Sequence, residues 1–425
     1  MTCEDIIRAA LRGWAKNRFQ RLTLISVAEE LGVTKQALYR YFPSKESLMD
    51  GILEYARAVN LTLVEDLNRI SSLPFHEGLS FHLSRLLLDF KRHADLYLFL
   101  YPPQKVLFRD RFKAFYREVE EHGLTITRTL FSRPGAPDIP ERLLPAVHSF
   151  IGTTFLFLLL KDMPRPQEDP RESFTTFLSN LDLEKKVRAV TEVIVHGTVR
   201  GSFALPDVER VRTIARVEES EVPHFDRILS AAEKVIHEKG IANTTLDDIA
   251  HEIGVTRATL YSYFKNKRDL VVSTILRQIT GFFDPLFPRL AVCTSIEEKV
   301  LCYILYAAEY SHVHKRLFSV TNWLRINSPL RPLRDARAWE QIGRYLERFA
   351  LLFSPLPLRE GLRPAEMLPF LHVLTGSLMQ EEPLIRPSEA LLVWAYFLEG
   401  LRGIERHAEQ ISAHEKDTDH ERRLP

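Results

Sequence analysis

A chain of 425 residues is longer than one ordinary domain and suits two or more, each with its own core. Its 45% hydrophobic and 27% charged residues describe a globular protein and exclude a disordered one. A formal net charge of +1 excludes a uniformly basic polymer binder, so any affinity for nucleic acid has to come from local placement of Lys and Arg.

In chain order, the stretch MTCEDIIRAALRGWAKNRF lacks a continuous apolar run and a small-residue cleavage site, so it is read as a helix and not as a signal peptide. Thr23 then stands where an N-cap would, ahead of apolar Val27, Ala28 and Leu31, and Gly32 supplies a turn. A second short helix is expected from Thr34. Its Leu38 and Phe42 are four apart and face inward, which turns Lys35, Gln36, Tyr39 and Arg40 outward. Lys45 follows at the start of another helix.

Apolar residues at three and four spacing predict further helices in LSRLLLDF and FKAFYREVEEHGLTITRTLF. The apolar run at 150–160 is much shorter than the ~20 residues of a membrane span and is read as a buried helix. Pro206, a charged run and Pro223 mark 201–226 as the boundary between two helical patterns. Beyond it the first pattern recurs.

Residues 23–48 align without a gap to 245–270, with about half the positions identical. GVTKQALYRYF becomes GVTRATLYSYF, and Thr245, Ile249, Ala250, Ile253, Gly254, Leu260 and Phe264 take the places of the first copy's cap, core and turn residues. The outward positions become Arg257, Ala258, Tyr261 and Ser262, followed by Lys267. The repeat also extends through HADLYLF and HKRLFSV, so two whole units are duplicated. ALLVWAYFLEGLRGI predicts a late helix, and the charged tail after His407 is expected to fray. No sustained period-two pattern appears, so the fold class is all-α.

Two short helices joined by a tight turn make a helix-turn-helix. Its outward face carries the groups a major-groove reader uses. Gln36 can pair bidentately with adenine and Arg40 or Arg257 with guanine, while Lys35 and the tyrosines reach phosphate. Lys45 and Lys267 would anchor the backbone without reading sequence. The letters that differ, Lys35-Gln36-Ala37 with Arg40 against Arg257-Ala258-Thr259 with Ser262, are where base specificity would lie.

TTLDDIAHEIGVTRATLYSYFKNKRDL, with its first-copy counterpart, resembles the DNA-binding helices of the TetR family of bacterial regulators. The resemblance implies contacts to double-stranded DNA through Thr23, Lys35, Gln36, Tyr39, Arg40, Tyr41 and Lys45, and through Thr245, Arg257, Ala258, Thr259, Tyr261, Tyr263 and Lys267. It also implies four parts: helix-turn-helix domains at 1–50 and 222–272, and larger helical ligand-binding and dimerisation domains at 51–205 and 273–410. The pairing helices would be 145–161 with 185–200, and 364–380 with 387–407.

Dense aromatics in the larger domains are mostly core by their spacing. Tyr97, Phe108, Phe112, Tyr303, Tyr306 and Trp323 are the candidates for lining a pocket, whose effector would be small and apolar. The three cysteines, Cys3, Cys293 and Cys302, are scattered and fit neither a disulfide framework nor a zinc spacing, so a reducing cytoplasm is expected. No catalytic motif, metal set or cofactor fingerprint is found.

The expectation is a ligand-responsive regulator, a repressor, whose two unlike readers fold back into an intramolecular pseudo-dimer on an asymmetric operator. Homodimerisation of an open chain stands as the other arrangement. A helical interaction or ligand-sequestering protein that has lost DNA binding stands as the other function.

Overall fold

The computed structural model describes residues 2–16, 23–69, 72–100, 109–163, 170–218, 244–313, 336–379 and 385–421, with helical positions 228, 231, 232, 234, 235 and 238. Among them the regular structure is helical throughout, apart from an isolated antiparallel bridge between Val199 and Leu358. The chain divides into two compact units, one up to Thr191 and the other from Glu192 onward.

In the first unit α1 (Cys3–Lys16), α2 (Leu24–Leu31) and α3 (Lys35–Tyr39) enclose a core of Ile6, Ala10, Val27 and Leu38. The long α4 (Lys45–Arg69) closes that core with Leu48 and Ile52 and continues out of it. After α5 (Phe75–Arg92) come α6 (Ala94–Leu100) and α7 (Arg109–Phe131), whose Leu96, Phe99 and Phe115 belong to the same apolar cluster. The small N-terminal bundle and the larger one are therefore a single packed body, and a shift in one is felt by the other.

The helix α8 (Leu144–Leu160) is longer than the apolar run suggested. With a preceding single turn, the stretch Glu141–Leu160 is 20 residues of mean hydropathy 1.9, long and apolar enough to span a membrane, and half of it is buried within the fold. The buried half includes Val147, Phe150, Thr154 and Phe155, and the nearby His148 meets the Thr127 hydroxyl of α7 at 3.0 Å. Those contacts are with protein, as the buried-helix reading expects. The unit ends with α9 (Pro170–Ser179) and the start of α10 (Leu183–His196).

The division between the two compact units falls inside α10. The Pro-containing stretch at 201–226 contains a helix the sequence reading missed, α11 (Val208–Ala215), capped by the Asp207 carboxylate, which accepts from Arg210 N at 3.0 Å. Its Val208, Val211 and Ala215 are buried.

In the second unit Ala231, Ala232 and Val235 pack against α12 (Leu246–Ile253), α13 (Arg257–Tyr263) and the first turn of α14 (Lys267–Val292). Then follow α15 (Ile296–Val313), α16 (Ala336–Phe353), α17 (Pro364–Leu378) and α18 (Pro387–Glu421). α11 lies against α15 and α14. The last helix does not fray after His407: it continues to Glu421, with Ile411 buried, because apolar Ile404 and Ile411 extend its inner face by two turns.

One position in α18 is not helical. Gly400 has φ 67° and ψ −149°, and the backbone of 194–197 passes directly over it. Thr198 N donates to Phe397 O at 2.9 Å and Val199 N to Leu398 O at 3.3 Å, while Arg359 N donates to Thr198 O at 3.0 Å. Carbonyls that the break in α18 releases are thus satisfied by the end of the first repeat.

Candidate nucleic-acid interface

The two helix-turn-helix turns are built alike. The Thr23 hydroxyl accepts from Ser26 N at 3.1 Å, and the Thr245 hydroxyl accepts from Asp248 N at 3.1 Å. Each receives a reciprocal bond, from Thr23 N to the Ser26 hydroxyl at 3.2 Å and from Thr245 N to the Asp248 carboxylate at 2.8 Å. Gly32 and Gly254 close the helices in the left-handed region at φ 65° and 71°, which a side chain would disfavour. Thr34 and Thr256 then cap the second helices.

These caps fix where the reader points. Losing the hydroxyl leaves the Asp248 N–H at the helix end unbonded, so Thr245→Ala is expected to weaken the second head by about 1 kcal/mol. Faster amide exchange confined to 245–264 would register it; an unchanged exchange pattern would show that the cap does not hold the head.

With Leu38 and Leu260 fully buried, the outward face follows. Lys35, Gln36, Tyr39, Arg40 and Tyr41 are exposed in the first head, and Arg257, Ala258, Thr259, Tyr261 and Tyr263 in the second. Tyr263 is 64% exposed and Tyr41 40%, which leaves aromatic area open on the outward face. Lys45 begins α4 and Lys267 begins α14, the latter with its side chain outside the described residues.

The heads differ in how the leading cation is held. Lys35 Nζ lies 5.2 Å from the Tyr39 ring centroid. Arg257 does the equivalent with Tyr261 at 5.3 Å, donates to the Tyr261 hydroxyl at 3.1 Å, and also donates to the Asp247 carboxylate at 3.2 Å. The first head has Ile25, 51% exposed, at the position matching Asp247. Sequence reading missed this pair, because 247 and 257 become neighbours only once α12 and α13 cross. The guanidinium fork is therefore held in place on one head, while the other carries an ammonium on a flexible stem.

The effector candidates divide differently. Phe108 and Trp323, and the side chain of Phe112, lie outside the described residues. Tyr97 stacks on Phe90 with centroids 3.8 Å apart, and its buried hydroxyl has no partner among the described residues. Burial, more than the nearby Asp89 carboxylate, pushes that phenol far above its ordinary value. Tyr303 and Tyr306 are wholly buried with their hydroxyls engaged, by His372 Nδ1 at 2.8 Å and by Phe282 O at 2.8 Å, within a group of rings centred on Phe282. A surface depression of about 490 Å³ beside the first head is lined by Asp50, Gly51, Leu53, Glu54, Arg57 and Ala114.

Two capped helix pairs, each presenting a polar, aromatic and cationic face, define a helix-turn-helix protein with two reading heads. A family profile described as bacterial regulatory proteins of the tetR family matches residues 6–52 and 228–274, the two stretches whose cores were traced above. The chain thus carries two DNA-binding domains of the tetR family in tandem.

Among similar proteins, the uncharacterized HTH-type transcriptional regulator YerO of Bacillus subtilis is 26% identical over 117 residues, 27% of this chain and 40% of that protein. The HTH-type transcriptional regulator TtgR of Pseudomonas putida is 41% identical over 58 residues, 14% of this chain and 28% of that protein. The chain thus spans less than half the length of each of these relatives. A crystal structure of the regulator FadR from Bacillus subtilis with stearoyl-CoA is similar at 21% identity and a TM-score of 0.32, over 40% of this chain and 96% of that one.

Proposed function

We propose that the protein is a ligand-responsive transcriptional repressor that binds an asymmetric operator through two unlike heads of one chain. The observation that carries this reading is the pair of exposed recognition faces, Lys35-Gln36-Arg40 in one and Arg257-Ala258-Ser262 in the other, on identically built turns. Shared residues orient the reader and the differing ones select bases.

Pairing of the two repeats within the chain is supported by the crossing at Gly197 and Gly400. Each glycine lies on or just past the last helix of its repeat, in HGTVRG and EGLRG. Two copies of one protomer would meet at such equivalent points about a two-fold axis. Here both belong to one polypeptide, and tethering raises the effective concentration of the pair to about millimolar. The aromatic clusters around Phe90 and Phe282 support a small apolar effector, which would act from the cytoplasm by favouring one arrangement of the heads over another.

The experiment is selection of bound sequences from random duplex DNA with the purified chain. Enrichment of a two-part site with unequal halves is the expected result. A site with equal halves would remove the intramolecular reading in favour of homodimers. Salt-sensitive background binding without enrichment would favour the helical interaction protein, which the carboxylate of Asp247 on the second head makes the leading rival.

A further inference from the structure

One position on the first head breaks a rule that its counterpart keeps. In the second head Asp247 and Asp248 stand in the first turn of α12, where carboxylates suit the positive end of a helix. The matching residues of α2 are Ile25 and Ser26, and its first turn holds no acid. The threonine caps, with Leu24 and Leu246 buried behind them, set both helices in the same rotation, so Ile25 points outward as Asp247 does. It is a β-branched side chain, 51% exposed, where neither helix propensity nor burial favours one.

A single exposed isoleucine is ordinary on a protein surface. Its place sets this one apart. In the second head the Asp247 carboxylate lies 3.2 Å from Arg257 Nη1, on the leading cation of α13. Position 247 therefore adjoins the outward side of the recognition helix at its start, and position 25 holds the same place relative to Lys35. Lys35 turns its ammonium along α3 to the Tyr39 ring, 5.2 Å away. Among the described residues of the first head, the other large apolar side chains left exposed are Tyr39 and Tyr41, which carry hydroxyls. Ile25 offers only methyl and methylene groups.

On the base edges of the major groove the one apolar feature is the C5 methyl of thymine; the rest are donors and acceptors. An aliphatic side chain gains by covering that methyl and loses by desolvating a donor or acceptor it cannot bond.

We propose that Ile25 reads a thymine methyl in the half-site of the first head. The first reader then extends from α3 onto α2, while the second head uses the same position to hold Arg257. One place in the repeat has taken two jobs: apolar base contact in one copy, support of a guanidinium in the other. The inference rests on the regulator reading above.

The test uses the full chain and a duplex obtained by selection, in which single thymines are exchanged for deoxyuridine, a change that removes only the C5 methyl. The half belonging to the first head is the one whose preference Gln36→Ala flattens. One exchange in that half should lower the affinity of the parent chain ~4-fold, the worth of one buried methyl. Ile25→Ala should bind the thymine duplex more weakly by at least that factor and should bind the thymine and deoxyuridine duplexes alike. Ile25→Val, which keeps a branched aliphatic face, should keep the discrimination. An Ile25→Ala chain that binds more weakly yet still tells the two duplexes apart would make Ile25 a structural residue and overturn the proposal. A first-head half that holds no thymine, or that is indifferent to every exchange, would overturn it too. Those results leave two unlike heads standing, whereas selection that enriches no two-part site removes the regulator reading and this one with it.

Discussion

Gly400→Ala is expected to destabilise the second unit by about 3–5 kcal/mol, the sum of strain in a backbone region reserved for glycine and of overpacking. At φ 67° and ψ −149° a Cβ is strained before any neighbour is considered. It would also lie 2.5 Å from Gly197 N, 2.5 Å from Ile194 O and 2.6 Å from His196 N, all backbone atoms that cannot swing aside. From the other side, a Cβ on Gly197 would stand 2.3 Å from Leu398 O. Any relief breaks the bonds from Thr198 and Val199 to Phe397 and Leu398, leaving buried carbonyls bare. The urea midpoint of the second unit should drop accordingly. Gly343→Ala is the control, since that helical glycine has open space at its Cβ and should gain about 0.5–1 kcal/mol. Equal midpoints for Gly400→Ala and the parent would mean that the crossing does not hold in solution.

This crossing also shows what a linear reading could and could not reach. The caps, turns and inward residues of the heads follow from local rules: Thr at the cap, Gly at the left-handed stop, Leu and Phe four apart, all visible within about 20 residues. Repetition of the same rules 222 positions later made them doubly legible. Gly197 and Gly400, by contrast, each look like an ordinary glycine near a helix end. Only their meeting explains them, and that meeting is long-range.

The missed elements share one physical cause. α11 was hidden because Pro206 and a charged run dominate its surroundings, although Asp207 as cap and Val208, Val211 and Ala215 at three and four spacing signalled it. Its buried face makes sense only against α15 and α14. Asp247 and Arg257 belong to different helices, and their pairing depends on the angle of the turn at Gly254. Periodicity states which face of a helix is inward. It does not state what that face meets.

That last pair gives the sharpest test of two independent readers. Arg257→Ala removes a fork held by Asp247 and Tyr261, and a bidentate contact to one base is worth about 1–3 kcal/mol. Affinity for the selected duplex should therefore fall by roughly 5–150-fold, with the preference flattened at one base pair of one half-site. Gln36→Ala should flatten a position in the opposite half and leave the first untouched. Lys45→Ala, a change at a phosphate-facing position, should weaken all sequences alike and reduce the salt slope by about 1. Asp247→Ala frees the guanidinium without deleting it. It should blur the Arg257-dependent position while raising overall affinity, because a carboxylate leaves the DNA-facing side. If Arg257→Ala and Gln36→Ala each blurred matching positions in both halves, every half-site would be meeting both heads in turn. The operator would then be bound by two chains, each presenting either head to either half, and pairing within one chain would be abandoned.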